Sequence, residues 1–169
     1  MPTTTTAPPT TIPEISLING GFEAWSIASG SFQIVGAAEV PGWTSSSGSF
    51  EVWHRAKSSV GSADGSHLIE LNVHNPTTIH QDFASTPGST LTWSFSHRGR
   101  ERNESIELLI GSPSRPTSIQ VVSTGTGWKQ YSGTYKVPRG QTVTRIAFRS
   151  LEPGGSANLL DGVRVRLGS

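Results

Sequence analysis

The sequence predicts an all-β chain, a two-sheet antiparallel β-sandwich (jelly roll), behind a Thr/Pro-rich tail. Three observations carry the prediction. From residue 15 onward, short segments alternate apolar and polar residues, the period of a strand with one face on a core. Turn formers separate these segments, among them Pro41-Gly42, Asp64-Gly65, Asn75-Pro76, Pro87-Gly88 and Pro138-Arg139-Gly140. No long helical period appears, which excludes crossover helices and the parallel sheet they would serve.

Taken in order, residues 1–14 are the tail, opening Met-Pro-Thr-Thr-Thr-Thr-Ala-Pro-Pro-Thr-Thr-Ile-Pro. Such a segment buries too little apolar surface to offset its ordering entropy, and Pro biases it toward an extended chain. It reads either as a tether to a larger protein or as an inert end. Residues 15–169 form the domain. Strands are expected over 15–19, 31–35, 49–54, 67–73, 77–83, 89–98, 105–110, 118–122, 129–137, 142–149 and 159–167, and 22–30 has room only for a short helical turn. The period is clearest over 89–98, where Leu91, Trp93 and Phe95 share one face and Thr92, Ser94 and Ser96 the other. In 142–149, Ile146 and Phe148 oppose Arg145, Ala147 and Arg149, with Val143 out of phase. So many short strands favour two packed sheets over a small barrel.

Composition narrows the function classes. Gly 19 and Pro 11 are spread between apolar runs, as turns would be. Charged residues are 15% of the 169 residues, against about 25% in an average soluble domain. The net charge is +1, and Arg98, Arg100 and Arg102 form only a local cluster, so a phosphate-tracking groove and nucleic-acid binding are not expected. With no Cys, disulfides and thiolate metal sites are excluded. No apolar stretch approaches the length of a membrane span, and the N-terminus lacks a signal peptide's basic and apolar regions. An excised module would then be extracellular, and a complete chain cytoplasmic. No Ser/His/Asp order, phosphate loop or zinc spacing stands out, and His74 and His80 have no fixed common face.

Alternation also sorts the polar residues. With Ile69 and Leu71 on the core, Glu70 and Asn72 point to the opposite face, and His80 and Asp82 point outward if Ile79 and Phe83 point in. Gln81 then faces inward and needs a buried partner. Arg145 and Arg149 project outward, His97 continues the core face of Trp93 and Phe95 to a possible cleft rim, and Arg98 and Arg100 lie at the turn. Trp43 and Trp93 fit the core pattern, whereas Trp25, Trp53, Trp128 and His54 have no settled place in it.

Two segments at opposite ends of the domain carry a recognisable frame. Near the start stand Leu17-Ile18-Asn19-Gly20-Gly21-Phe22-Glu23 and Val40-Pro41-Gly42-Trp43; near the end stands Asn158-Leu159-Leu160-Asp161-Gly162-Val163. Between them lie Ala63-Asp64-Gly65, Glu70-Leu71-Asn72, Gln81-Asp82 and Trp93-Ser94-Phe95-Ser96-His97-Arg98-Gly99-Arg100. In order and spacing this resembles the galactose-binding-like jelly rolls, including bacterial calcium-containing carbohydrate-binding modules, across about residues 15–167. The resemblance implies side-by-side first and last strands sharing a structural calcium (Ca2+), held by Glu23, Asp161 and a backbone carbonyl such as that of Gly21. Hard oxygens of this kind suit calcium; the alternative is that both acids are ordinary turn residues. The resemblance also implies a glycan as ligand. Glu70, Asn72, Asp82, Arg98 and Arg100 would bracket its hydroxyls, with His97 at the rim and Trp53, Trp25, Trp128 or His54 as a stacking platform. Against this stands a structural role, with Glu70 paired to Arg98 or Arg149 and each Trp in the core. The chain also resembles the Stig cyclases, calcium-bearing jelly rolls of similar type, which would make Glu70, Asp82, His97 and Arg100 an acid/base site. A purely structural or adhesive domain is the third reading.

Overall fold

The computed structural model describes residues 17–54, 60–155 and 158–168. The tail expected over 1–14 lies outside the described residues. Among the described residues, eleven strands form two antiparallel sheets. The first runs β1 (Ser31–Gly36), β3 (Ser49–His54), β4 (His67–Glu70), β11 (Leu159–Leu167), β6 (Thr90–Arg98) and β9 (Lys129–Lys136). The second runs β2 (Thr44–Ser45), β5 (Thr78–Ala84), β10 (Val143–Ser150), β7 (Glu104–Ser112) and β8 (Arg115–Thr124). This is the expected β-sandwich. Its inner layer joins Phe22, Trp43, Phe50, Trp93, Phe95 and Phe148 to the branched aliphatic residues of both sheets.

Ten of the strands answer to ten expected segments, and the differences have local causes. Residues 18–21 form a turn where a strand over 15–19 is expected. Asn19 (φ 54°) and Phe22 (φ 58°) are left-handed there, and the Phe22 N–H donates to the Asn19 carbonyl at 3.1 Å. The short helical turn falls at Ala37–Glu39 rather than within 22–30, with the Gly36 N–H donating to Glu39 Oε1 at 2.9 Å. Strand β2 has only two residues, too few to show an alternation. Strand β8 starts earlier than expected and includes Pro116, tolerated because β8 is the edge of its sheet.

The last strand does not lie beside the first. Strand β11 sits between β4 and β6, and its register slips between Asp161 and Arg164. At that bulge the N-terminal turn docks: the Val163 N–H donates to the Gly20 carbonyl at 2.9 Å. On the outer face of the six-stranded sheet a second, smaller apolar cluster joins Trp53, Val60, Leu68 and Leu159, with Trp128 packed against it. Strand β4 is therefore covered on both faces, and all four of its residues are buried.

Candidate ligand-binding faces

The polar residues singled out from the sequence divide between three places. The first is a buried network at one end of the six-stranded sheet. Glu70 does lie opposite Ile69, but the second apolar cluster covers that face, so Glu70 is buried rather than presented to solvent. Both of its oxygens accept from Arg100 Nη1, at 3.1 and 2.8 Å. The structural partner is thus Arg100, not Arg98 or Arg149. Arg100 also stands 5.1 Å from the Trp53 ring centre, and its backbone N–H donates to Glu104 Oε2.

The same Glu104 oxygen accepts the N–H of Asn158, whose Oδ1 faces His97 Nε2 at 2.8 Å. His97 Nδ1 faces Thr124 Oγ1, which in turn meets the Tyr131 hydroxyl. His97 is 0% exposed and is not at a cleft rim. Burial pushes its pKa down to about 4, against the pull of the Asn158 contact. Asn72 is also fully buried, and its amide donates to the carbonyls of Glu152 and Gly154. These residues lock strand ends together.

The aromatic candidates are likewise engaged. Trp53 is 1% exposed in its cluster and donates to Glu51 Oε1 at 2.9 Å, so the alternation that left it unplaced reflects a second core. Trp128 donates to the Gly61 carbonyl and lies under Arg98, whose guanidinium carbon is 5.9 Å from its ring centre. Trp25 packs on the main core, and His54 stacks on His67 at 4.5 Å. Trp43 and Trp93 are core residues, as their pattern indicates.

The second place is the loop holding the expected metal ligands. Asp161 Oδ2 accepts the backbone N–H groups of Ala63 and Asp64, both at 2.8 Å, and its Oδ1 accepts that of Gly162. Glu23 Oε1 accepts the N–H groups of Ser66 and His67, at 2.6 and 2.8 Å, and its Oε2 faces His67 Nδ1. The two acids thus grip residues 63–67 from either end. A Cβ on Gly21 would fall 3.5 Å from Asp64 Oδ2 and 3.7 Å from Glu23 Cγ, so the Gly21 backbone adjoins Glu23 and Asp64. Burial and the Asp64 charge push the Asp161 pKa up to about 7 despite its backbone donors. Among the described residues no three His, Cys, Asp or Glu side chains already converge as a ligand cluster. All four oxygens of Glu23 and Asp161 face protein nitrogens here, so a hard cation bound by these acids would have to take the place of some of those contacts.

The third place is the outer face of the five-stranded sheet, to which Asp82 belongs. Here alternation places the side chains as expected: His80 and Asp82 point out, and inward-facing Gln81 clamps the Ile18 main chain, accepting its N–H at 2.7 Å and donating to its carbonyl at 2.9 Å. Asp82 sits opposite Arg145, which donates from Nε and Nη2 to its two oxygens at 2.7 and 2.8 Å. That bond holds the Asp82 pKa below the usual carboxylate range and raises that of Arg145. Four residues along β10, Arg149 pairs with Glu107. Glu107 is also held low, first by the Ser118 hydroxyl and then by Arg149. Between the two pairs lies Ala147, flanked across its strand neighbours by His80 and Leu109. Burial and the Arg145 charge lower the His80 pKa, so its ring is held neutral. The sequence pattern exposes Arg145, Arg149, His80 and Asp82, whereas Glu107 and Leu109 join them only through the β7–β10 register.

An acid kept ionised by a fork of N–H donors is a poor proton donor but a good hydroxyl acceptor. Asp82 and Glu107 are placed to accept, and their arginines to donate.

Solved structures share this architecture. A CBM4 structure superposes with a TM-score of 0.54 at 19% identity, over 90% of this chain and 100% of that one. TmCBM61 in complex with β-1,4-galactotriose gives 0.56 at 16%, over 90% and 99%. The CBM22-1 xylan-binding domain of Paenibacillus barcinonensis Xyn10C gives 0.52 at 14%, over 84% and 97%. At these identities the likeness is one of fold. No curated protein matches the chain. Residues 15–165 match the family described as Protein of unknown function (DUF642), and the chain belongs to that family.

Proposed function

We propose that this chain is a non-catalytic carbohydrate-binding module that takes a neutral, hydroxyl-rich glycan on the outer face of the five-stranded sheet. One observation carries the reading: the Asp82–Arg145 and Glu107–Arg149 pairs flank the small residue Ala147. Each pair is a planar, internally neutralised group, so it offers donors and acceptors to vicinal hydroxyls without attracting net charge. Ala147 itself is buried, and the short side chain leaves His80 and Leu109, on either side of it, to form the surface between the pairs. Leu109 and the 56%-exposed Val121 supply apolar surface for a sugar face. None of these five strands carries Trp or Tyr, so without a stacking ring the affinity is expected to be weak. The fold likeness to modules described with β-1,4-galactotriose and xylan supports the same reading.

Titration of the protein with galactotriose and with xylo-oligosaccharides, followed by amide chemical shifts, tests it. Binding is expected at millimolar ligand, with shifts along β5, β7 and β10. Arg145→Gln removes one fork and is expected to weaken binding by about 5- to 30-fold, equivalent to about 1–2 kcal/mol. Absence of shifts with every neutral glycan, or an unchanged affinity in Arg145→Gln, removes the proposed face.

The module also holds a structural calcium in this proposal, with Glu23, Asp161 and the Gly21 carbonyl as ligands. When bound, the ion would supply positive charge to the buried Asp161, whereas the adjoining Asp64 already pairs with Arg164. The chain's own residues already hold loop 63–67 through peptide donors, and the ion would tighten the same clamp.

A further inference from the structure

Two imidazoles meet where β3 ends and β4 begins. The antiparallel register sets His54 directly opposite His67. Alternation puts both on the side of Val52 and Ile69, away from the Trp53 cluster. Their rings stack with centres 4.5 Å apart and planes 17° apart.

His67 is 7% exposed, and its Nδ1 faces Glu23 Oε2 at 2.9 Å. Burial works to raise the Glu23 pKa, but the His67 ring and the N–H groups of Ser66 and His67 hold it below its ordinary value. The ionised carboxylate can only accept, so Nδ1 carries the proton and, in the neutral ring, Nε2 carries the lone pair. That Nε2 is buried with no hydrogen-bond partner among the described residues. The half-buried His54 has a buried Nδ1 in the same condition. Its carbonyl accepts the Gly30 N–H at 2.9 Å, but no hydrogen bond among the described residues holds its ring against turning about the Cβ–Cγ bond. The stack with His67 is the contact such a turn would give up.

A buried acceptor nitrogen without a donor costs stability, and two side by side have one common remedy, a cation that takes both lone pairs. Residues directly opposite on antiparallel strands hold their Cβ atoms about 4.5–5.5 Å apart, a span that two imidazoles can close on one ion with metal–nitrogen bonds of about 2.0–2.1 Å. Glu23 adds the outer partner of such a site. A metal-bound imidazole ordinarily gives its other N–H to a carboxylate, which fixes the tautomer and the ring orientation. Imidazole nitrogens suit zinc, copper and nickel, whereas calcium takes hard oxygens, so this pair and the Glu23–Asp161 loop select different ions.

We propose that His54 and His67 form a binding site for a divalent transition metal of the zinc and copper class, with Glu23 as the positioning residue of His67. Two protein ligands leave the remaining coordination positions to solvent, which makes it an open site of modest affinity. The proposal is independent of the carbohydrate-binding reading.

Titration of the full chain with zinc chloride, read by imidazole nitrogen chemical shifts, tests it. The buffer is free of calcium, because Glu23 borders both sites. His67 Nε2 and His54 Nδ1 are expected to shift, while His67 Nδ1 keeps its proton. Copper is expected to bind more tightly than zinc. Glu23→Gln is expected to weaken zinc by about 10- to 100-fold, as losing an outer partner does, and His54→Phe, which keeps a stacked ring without nitrogens, by at least as much. Each variant is first checked for an unchanged melting curve without metal; the wild-type ring shifts stand whatever the variants do. His74→Gln, at an exposed histidine, is expected to bind as wild type does. Zinc that moves only His74 or His80, or that binds His54→Phe as tightly as wild type, overturns the site. Zinc that shifts neither stacked ring also overturns it and leaves water as the partner of the two nitrogens. If Asp161→Asn weakens zinc as much as His54→Phe does, the ion sits in the oxygen loop and the imidazole assignment falls.

Discussion

His97 shows how a polar residue read as a candidate for chemistry becomes an element of the core. Both ring nitrogens are engaged, one with Thr124 and one with Asn158, and burial holds the ring neutral with a pKa of about 4. Unfolding returns it to its ordinary value of 6.5. Between those two values the unfolded chain binds more protons, so stability is full above 6.5 and falls as pH drops through the window. The expected loss is on the order of 2 kcal/mol by about pH 5, read from urea unfolding. Asp161, pushed up to about 7, acts in the opposite sense, so the informative quantity is the wild-type curve minus that of His97→Gln. A pH-independent difference between the two would show that His97 does not titrate in this way. Alternation placed His97 on the core face correctly, and it placed Gln81 inward with its partner unknown. Neither partner was legible, because Asn158 lies 61 residues from His97 and Ile18 lies 63 from Gln81. The same limit hid the covering of Glu70: sequence period sets a side, but only the packed cluster around Trp53 decides whether that side meets water.

At the level of elements, strands longer than a few residues could be read from period and turn formers, and β2 could not. The departure of greatest structural weight is the turn at 18–21, which closes on the β11 bulge instead of pairing as a strand. Gly20 makes that docking possible. A Cβ at this position would fall 2.1 Å from the Val163 carbonyl oxygen, and the obstacle is backbone rather than a side chain that can swing away. Gly20→Ala is therefore expected to cost about 2–4 kcal/mol, measured by denaturant midpoint. Gly48→Ala is a control for glycine loss at an open turn, since nothing lies within 4 Å of its Cβ, although its φ of 75° carries a local strain of its own. A Gly20→Ala protein no less stable than Gly48→Ala would mean that the turn can lift off the bulge freely.

For the molecule as a whole, the two-sheet sandwich was legible because strand period and turn spacing are local signals repeated along the chain. The choice of ligand face was not, since each face is assembled from strands far apart in sequence, as Asp82, Glu107 and Arg145 illustrate. Global stability also offers the direct test of calcium. If Glu23 and Asp161 hold the ion, adding calcium to a chelated sample should raise the melting temperature by several degrees, as about 2.7 kcal/mol at a hundredfold excess over Kd would do. Glu23→Gln and Asp161→Asn should each abolish the rise, and superimposable melts in calcium and chelator would remove the ion from the account. The central seat of β11 has a further consequence, for biosynthesis. Until residues 159–167 emerge, β1-β3-β4 and β6-β9 are two ribbons with no strand to join them, and β4 and β6 each present an open hydrogen-bonding edge. A ribosome-bound nascent chain should therefore hold the five-stranded sheet's segments and both ribbons without a finished sandwich, exposed to capture by chaperones or by one another, and complete its fold only once residues 159–167 have emerged.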